Sequence, residues 1–385
     1  MEFKLNELQQ MAQDTAREIA TKEVAKYIDI IEETRSVPKE LFGAIADAGI
    51  LGIPFTEELG GIDAGYIAMV CAYEEIAKVC PSVSVSLLVC VSFLEAVKNY
   101  GTKEQIEKYV PAGIQGDFRG SLAFTEPGTG SDPKQIQTTA KKDGEYYVLN
   151  GTKRFITNAT YEGPILLFAR DSETQSITAF VFDKLGEGYS TSTPWDAVGM
   201  RGSAIYDVFL DNVRVHESCI LGRPGDGFPI LLGTVAHSKV ALCATFVGTM
   251  AACYELAVKY AKEKMHRDKS IGLKFPSIQL KIAQIAAKLE SARLLTRRLA
   301  EESDDRSNIE HMKAWVGMVK AYVSDISVET NLLAMNVLGA YGVTDEYRVE
   351  RFLRDSLIAP HIEGVSDLQR IIAGSYILGT DDPLV

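Results

Sequence analysis

The chain's six cysteines form no C-x-x-C pair, and it carries no excess of positive charge, no internal repeat and no low-complexity segment. Each absence excludes something. Cys71, Cys80, Cys90, Cys219, Cys243 and Cys253 lie mostly in apolar helical stretches, the expected setting of buried reduced thiols rather than disulfides or zinc ligands, so no metal site is expected. A net charge of -12 makes the surface a poor partner for nucleic acid or anionic membrane. The segment Met1-Glu2-Phe3-Lys4-Leu5-Asn6 lacks the basic-then-apolar pattern of a secretory signal, and a cytoplasmic location is expected. The longest apolar stretch, Ser82 to Val97, contains four serines and Glu95 and is expected to fall short of a membrane span.

At 385 residues the chain exceeds one ordinary core, so several packed layers are expected. From about Asn6 to Ile114 the pattern is helical, with Ser36 and Pro38 opening one helix and Gly49 and Gly101 closing others. From about Leu122 to Val215 it changes to short strand-like runs, among them 145–149, 155–157, 165–169 and 177–182. Asn150-Gly151, between two such runs, reads as a hairpin turn. From about Gly227 the helical period returns, with amphipathic stretches at 228–266, 277–303 and 307–338 and shorter ones to Leu378, as in an antiparallel bundle. The predicted class is α+β: a helical domain at 1–118, a β-domain at 119–225 and a helical bundle at 226–385.

Glu363 is a lone carboxylate in the apolar stretch Ile362-Glu363-Gly364-Val365. A poorly hydrated carboxylate beside a glycine, where a ligand can approach closely, suits a base that removes a proton from carbon. An ordinary glutamate at a helix entry is the alternative. The segment Leu122-Ala123-Phe124-Thr125-Glu126-Pro127-Gly128-Thr129-Gly130-Ser131-Asp132 has the glycines and small hydroxyls that let backbone N–H groups converge on an anion, although a plain tight turn uses the same residues. In Phe155-Ile156-Thr157-Asn158 an aromatic beside a hydroxyl suits a planar heterocycle, or a strand with one buried Phe. Gly199-Met200-Arg201-Gly202-Ser203 and Asp211-Asn212-Val213-Arg214-Val215 read as structural turn and strand exit.

Taken in order, the segments 125–132, 150–153, 155–158, 199–203, Val349-Glu350-Arg351-Phe352-Leu353-Arg354-Asp355 and 362–364 resemble the acyl-CoA dehydrogenase family of flavoproteins over nearly the whole chain. The resemblance implies a helical N-terminal domain, a barrel-like middle β-domain and a C-terminal four-helix bundle, in a homotetramer or homodimer with FAD at a subunit boundary. It implies that Phe124, Thr125 and Ser131 hold FAD, that Phe155, Ile156 and Thr157 lie along the flavin, and that Lys264, Asn336 and Gly339 reach it across the boundary. Glu363 would take the α-proton of an acyl thioester. Ser131, Lys239, Gly364 and Val91 would contact the substrate, with the segment 86–94 lining an uncharged acyl pocket.

Several positions depart from the family pattern. Phe155 stands where many relatives have Trp; Lys264-Met265-His266-Arg267-Asp268 replaces an Arg followed by Phe-Gly; and Asn336-Val337-Leu338-Gly339-Ala340 replaces Gln-x-x-Gly-Gly. Ala236-His237-Ser238-Lys239 keeps one cation but no carboxylate on the helix that meets the pantetheine, where His237 is expected to pack rather than act as a base. His361, two residues from Glu363, is expected to serve packing or a hydrogen bond. In this the chain is similar to biosynthetic relatives that oxidise acyl groups on a carrier protein. Three functions follow: a dehydrogenase of acyl-CoA that passes electrons to an electron-transfer flavoprotein or other acceptor, an acyl-carrier-protein-linked dehydrogenase or oxidase, and a non-catalytic scaffold of the same fold.

Overall fold

The computed structural model describes residues 4–304 and 309–380. Residues 307–308, where the third long helical stretch was expected to start, lie outside the described residues, as do the first three residues of the segment read for a secretory signal. The first zone holds α1 (Glu7–Lys22), α2 (Ile28–Thr34), α3 (Lys39–Asp47), α4 (Gly65–Ala77), α5 (Pro81–Tyr100) and α6 (Lys103–Ile114). The second holds β1 (Ser121–Ala123), β2 (Thr139–Asp143), β3 (Tyr146–Thr157), β4 (Pro164–Asp171), β5 (Ile177–Asp183), β6 (Tyr189–Thr191), β7 (Ile205–His216) and β8 (Ile220–Leu221). The third holds α7 (Gly227–Glu263), a small ribbon of β9 (Met265–His266) and β10 (Lys269–Ser270), then α8 (Ile271–Lys274), α9 (Pro276–Asp304), α10 (Ile309–Leu338), α11 (Val349–Ser356) and α12 (Ser366–Leu378).

Local chemistry sets the helix starts. Asn6 with Gln9, and Thr102 with Gln105, form reciprocal capping boxes at α1 and α6, each contributing about 1 kcal/mol. Pro81 at the first turn of α5 gives up no hydrogen bond there. The start of α3 differs from expectation: Pro38 is itself the N-cap residue, and the Ser36 hydroxyl instead pairs with the Tyr161 hydroxyl at 2.7 Å. Gly49 follows α3 in the left-handed region at φ 79°, as a terminating glycine should. Gly101 ends α5 at an ordinary φ of -74°; a Cβ there would meet the Val97 carbonyl oxygen at 2.5 Å.

The eight strands of the middle zone form one mixed sheet in the order β6-β7-β3-β2-β4-β5-β8, with β1 added in parallel to β4. Asn150-Gly151 is not a hairpin. β3 runs straight through it, and the turn between β2 and β3 is Gly144-Glu145, with Gly144 at φ 61°. Asn150 instead faces a bulge: its side chain accepts from the Asn212 backbone N–H at 2.9 Å, and Asp211-Asn212 together oppose it between the Leu149–Val213 and Gly151–Leu210 pairs. Asp211–Val215 thus lies within β7, not at a strand exit. Gly151 is required because a Cβ would meet Thr138 atoms at 2.6–2.9 Å.

α5 and α7 are each long and apolar enough to cross a membrane by length and composition, a threshold the serines and Glu95 were expected to keep α5 below. Both are core helices, with 89% and 83% of their most apolar windows buried. One continuous core joins α4, α5, α7, α9 and α10 and reaches Leu166, Phe168, Ala179 and Val181 on one sheet face. A second core fills the other face around Leu149, Phe180 and Val208. The site lies where α5, α7, the sheet and the turn before α12 meet.

Candidate active site

A cavity of about 460 Å³ opens at this junction, within the size range of small-molecule and cofactor sites. Phe124, Thr125 and Ser131 line it from the segment after β1, Phe155, Ile156 and Thr157 from the end of β3, and Glu363 and Gly364 from the turn before α12. These eight expected site residues, up to 240 positions apart in the chain, therefore share one space. A smaller adjoining cavity of about 90 Å³ shares Phe124, Ser131, Glu363 and Gly364 and is walled by Lys239.

Two polar locks hold the sheet side. Glu126, buried, accepts from the Gln137 N–H at 2.7 Å, the Thr138 N–H at 2.9 Å and the fully buried Lys153 ammonium at 2.7 Å. Burial alone would push the Glu126 carboxyl up, but Lys153 and the two backbone donors outweigh it and hold it below the usual range. Burial also pulls Lys153 down to about 8 against the opposing pull of Glu126. The segment from Thr125 is thereby pinned to β3. At the end of β3, Asn158 stands at φ 61°; its side-chain amide donates to the Ser86 and Gly120 carbonyls at 3.1 and 3.2 Å, and its backbone carbonyl accepts from Lys184 at 3.0 Å. That clasp fixes Phe155-Ile156-Thr157 against α5.

The Phe155 ring, at φ 60° and about half exposed, meets the Trp195 ring at 5.4 Å between centroids. The hydroxyls of Thr125, Ser131 and Thr157 make no protein hydrogen bond among the described residues. An aromatic face beside three unengaged hydroxyls fits a planar ligand with a polar edge, and a flavin nucleotide is such a ligand.

Glu363 is held in a strained turn. Glu363 and Gly364 lie at φ 50° and 87°, a region that costs an ordinary residue about 1 kcal/mol. Gly364 is close-packed: a Cβ would lie 2.3 Å from the Gln369 side-chain nitrogen. The Ser238 hydroxyl donates to the Glu363 carboxylate at 2.6 Å. Burial raises the carboxyl's affinity for its proton, and Ser238, Lys239 and Lys320 only partly offset this, so its pKa stands above the usual range. Lys239 is buried on α7 and pushed down by burial, with Glu363 opposing. Glu363 lines both cavities.

One expected contact lies elsewhere, and three expected at a subunit boundary lie on another part of the chain. Val91 is packed in the core; α5 presents Val85, Leu88 and Val89 to the cavity instead. Lys264, Asn336 and Gly339 are exposed at the C-terminal ends of α7 and α10, away from the cavity, where Lys264 stands 5.3 Å from the centre of the Tyr341 ring. His237 packs, its ring nitrogen 2.9 Å from the Gly233 carbonyl. His361 lines the cavity.

Residues not foreseen also contribute. Met200 and Arg201, read as mainly structural, line the cavity; the Met200 N–H donates to buried Asp355 at 2.6 Å, and Asp355 is pushed up to about 6 by burial against the pull of that N–H and Arg351. Arg35 and Arg201, both on the cavity wall, share Asp196 at 2.7 and 3.1 Å. Ser238 and Lys320 were missed as well. The signal for Lys320 was present: it occupies one position of the buried stripe Val316, Val319, Lys320, Val323 on α10.

Known proteins share this arrangement. The family models for acyl-CoA dehydrogenases match in chain order: the N-terminal domain at residues 6–117, the middle domain at 121–213 and the C-terminal domain at 225–378. The chain belongs to the acyl-CoA dehydrogenase family, flavoprotein oxidoreductases that act on CH–CH bonds. It is 33% identical over 97% of its length to a 3-(aryl)acrylate reductase of Clostridium sporogenes, covering 99% of that protein. Butyryl-CoA dehydrogenase of Megasphaera elsdenii superimposes with a TM-score of 0.94 at 28% identity, over 98% of this chain and 100% of that one. The prolyl acyl carrier protein oxidase AnaB superimposes at 0.89 and 26%, over 97% and 100%.

Proposed function

We propose that this protein dehydrogenates an acyl thioester between its α and β carbons, with Glu363 as the base and FAD as the cofactor. The observation that carries the reading is the Glu363 carboxyl, desolvated and bonded to Ser238, in the same cavity as Phe155 and the unengaged Thr157 hydroxyl. Phe124, Thr125, Ser131, Phe155, Ile156 and Thr157 would hold the cofactor. FAD, when bound, supplies the acceptor for the β-hydride.

The chain's own residues do the rest. An α-proton beside a thioester is too weakly acidic for a hydrated carboxylate, so the base must be dry, fixed and close. Burial raises the proton affinity of Glu363, while Ser238, Lys239 and Lys320 keep its ionised form accessible. The proton leaves the α carbon for the carboxylate, its electron pair becomes the new double bond, and the β-hydrogen departs with its pair. Apolar walls from Val85, Leu88, Val89, Leu242 and Ile358 exclude water and suit an uncharged acyl group.

In the same reading Lys264, Asn336 and Gly339, exposed on one end of the bundle, meet the cofactor of a neighbouring subunit in a homotetramer, in the cytoplasm, with an electron-transfer flavoprotein or another carrier as acceptor. A second reading, a carrier-protein-linked substrate, is favoured by the likeness to AnaB and by Ala236-His237-Ser238-Lys239, which offers the pantetheine no carboxylate. Anaerobic titration of the FAD-loaded protein with butyryl-CoA, 3-phenylpropanoyl-CoA and the same acyl groups on a carrier protein tests both. Bleaching of the flavin by a CoA ester supports the first reading, and bleaching by carrier-protein esters alone supports the second. A protein that takes up no FAD, or whose flavin no thioester bleaches, contradicts both.

A further inference from the structure

Lys320 is a buried cation that the reaction does not require as acid, base or nucleophile. It projects from the middle of α10 at 1% exposure, and its ammonium donates to the Gly364 carbonyl at 2.8 Å. It forms no ion pair among the described residues. A methionine or leucine would fill this position in the apolar stripe at lower cost unless the charge has a use.

The surroundings show what that use is. From α7, Lys320 is faced by Lys239 and the Cys243 thiol; from α10 by Asp325; and from the turn before α12 by Glu363. Burial pushes Cys243 up to about 12, so it carries no charge at neutral pH. Asp325 is already engaged by the Ser366 hydroxyl and by Arg370. Glu363 is the remaining anion, faced by both Lys239 and Lys320. Lys320 bonds to the carbonyl of the residue following the base, not to the carboxylate. It therefore fixes the turn without occupying the carboxylate oxygens that the α-proton needs.

We propose that Lys320 is a positioning residue for this site: its ammonium anchors the left-handed Glu363–Gly364 turn through the Gly364 carbonyl and supplies the positive field that keeps the Glu363 carboxylate ionised in a dry cavity. This rests on Glu363 being the base.

The test is the pH dependence of anaerobic flavin reduction in the FAD-loaded protein, using whichever of butyryl-CoA, 3-phenylpropanoyl-CoA or their carrier-protein esters bleaches the wild-type flavin fastest. Lys320→Met is expected to move the acid limb up by about one pH unit, so that the rate on that limb falls about tenfold, with recovery at high pH. Lys320→Arg is expected to restore the wild-type limb. If Lys320→Met does not fold, Lys320→Gln carries the test, since it can donate a hydrogen bond but has no charge. The ¹³C carboxyl resonance of Glu363, assigned by its loss in Glu363→Gln, reads the same shift without substrate. An unmoved acid limb and unmoved carboxyl titration in the uncharged variants, with only lower thermal stability, would overturn the proposal. Wild-type turnover in Glu363→Gln would overturn the base assignment instead, a result separable from any behaviour of Lys320.

Discussion

Two buried lysines each stand near a glutamate in this molecule, and they are wired oppositely. Lys153 bonds the Glu126 carboxylate directly at 2.7 Å, and two backbone N–H groups complete the set, so that carboxylate is held below its usual pKa. Lys320 bonds the backbone beside Glu363, leaving the carboxylate one hydroxyl donor and an open cavity, and its pKa stands above the usual range. The difference lies in how many donors reach the carboxylate itself. Full hydrogen bonding makes a structural pin, whereas a field without full hydrogen bonding makes a base that still seeks a proton.

Breaking the pin should give the largest effect. Glu126→Gln takes away the one group that opposes the burial of Lys153, so the lysine must give up its proton or stay buried without a counter-charge, with an expected loss of about 3–5 kcal/mol of stability by denaturant melts and weakened FAD retention on gel filtration. The pin is also expected to fail in acid. A carboxylate with a lowered folded-state pKa contributes stability above its unfolded pKa and loses it as pH falls through the folded value. Wild-type stability should therefore drop on acidification more steeply than that of Glu126→Gln.

On the base side, Gly364→Ala forces a Cβ onto Gln369 at a left-handed position. It is expected to cost about 1–2 kcal/mol and, by displacing the base, about 100-fold in flavin-reduction rate. Ser238→Ala removes the one donor to the Glu363 carboxylate among the described residues and should raise the acid limb while leaving the rate at high pH near wild type. The smallest effect separates the two glutamates most cleanly. Because the folded-state pKa of Glu363 is raised, its ionisation opposes folding above the unfolded value, so stability falls as pH rises through that window. Glu363→Gln should therefore melt slightly higher than wild type at neutral pH, whereas Glu126→Gln melts lower.

Much of this was legible in the sequence, because the shift from a period of 3.6 to a period of 2 and back marks the three zones, and short motifs mark the cavity walls. The errors have physical reasons. Asn150-Gly151 was misread because the dipeptide that serves a hairpin turn here runs straight on opposite a bulge in β7, and its glycine is needed for the close approach of Thr138. Val91, expected at the cavity, lies off it; α5 is apolar on every side, so its pattern carries no phase to say which face meets the cavity. Ser238 and Lys320 act on Glu363 from 125 and 43 residues away; spacing along the chain has no access to such a meeting, although a lysine in a valine stripe was a visible anomaly.

The account stands on proton removal by a dry carboxylate at position 363, and single-turnover flavin reduction by Glu363→Gln tests it most directly. The variant should bind FAD with a wild-type spectrum and reduce it at least about 100-fold more slowly with the best thioester, at every pH. Reduction at the wild-type rate would place the base on another residue.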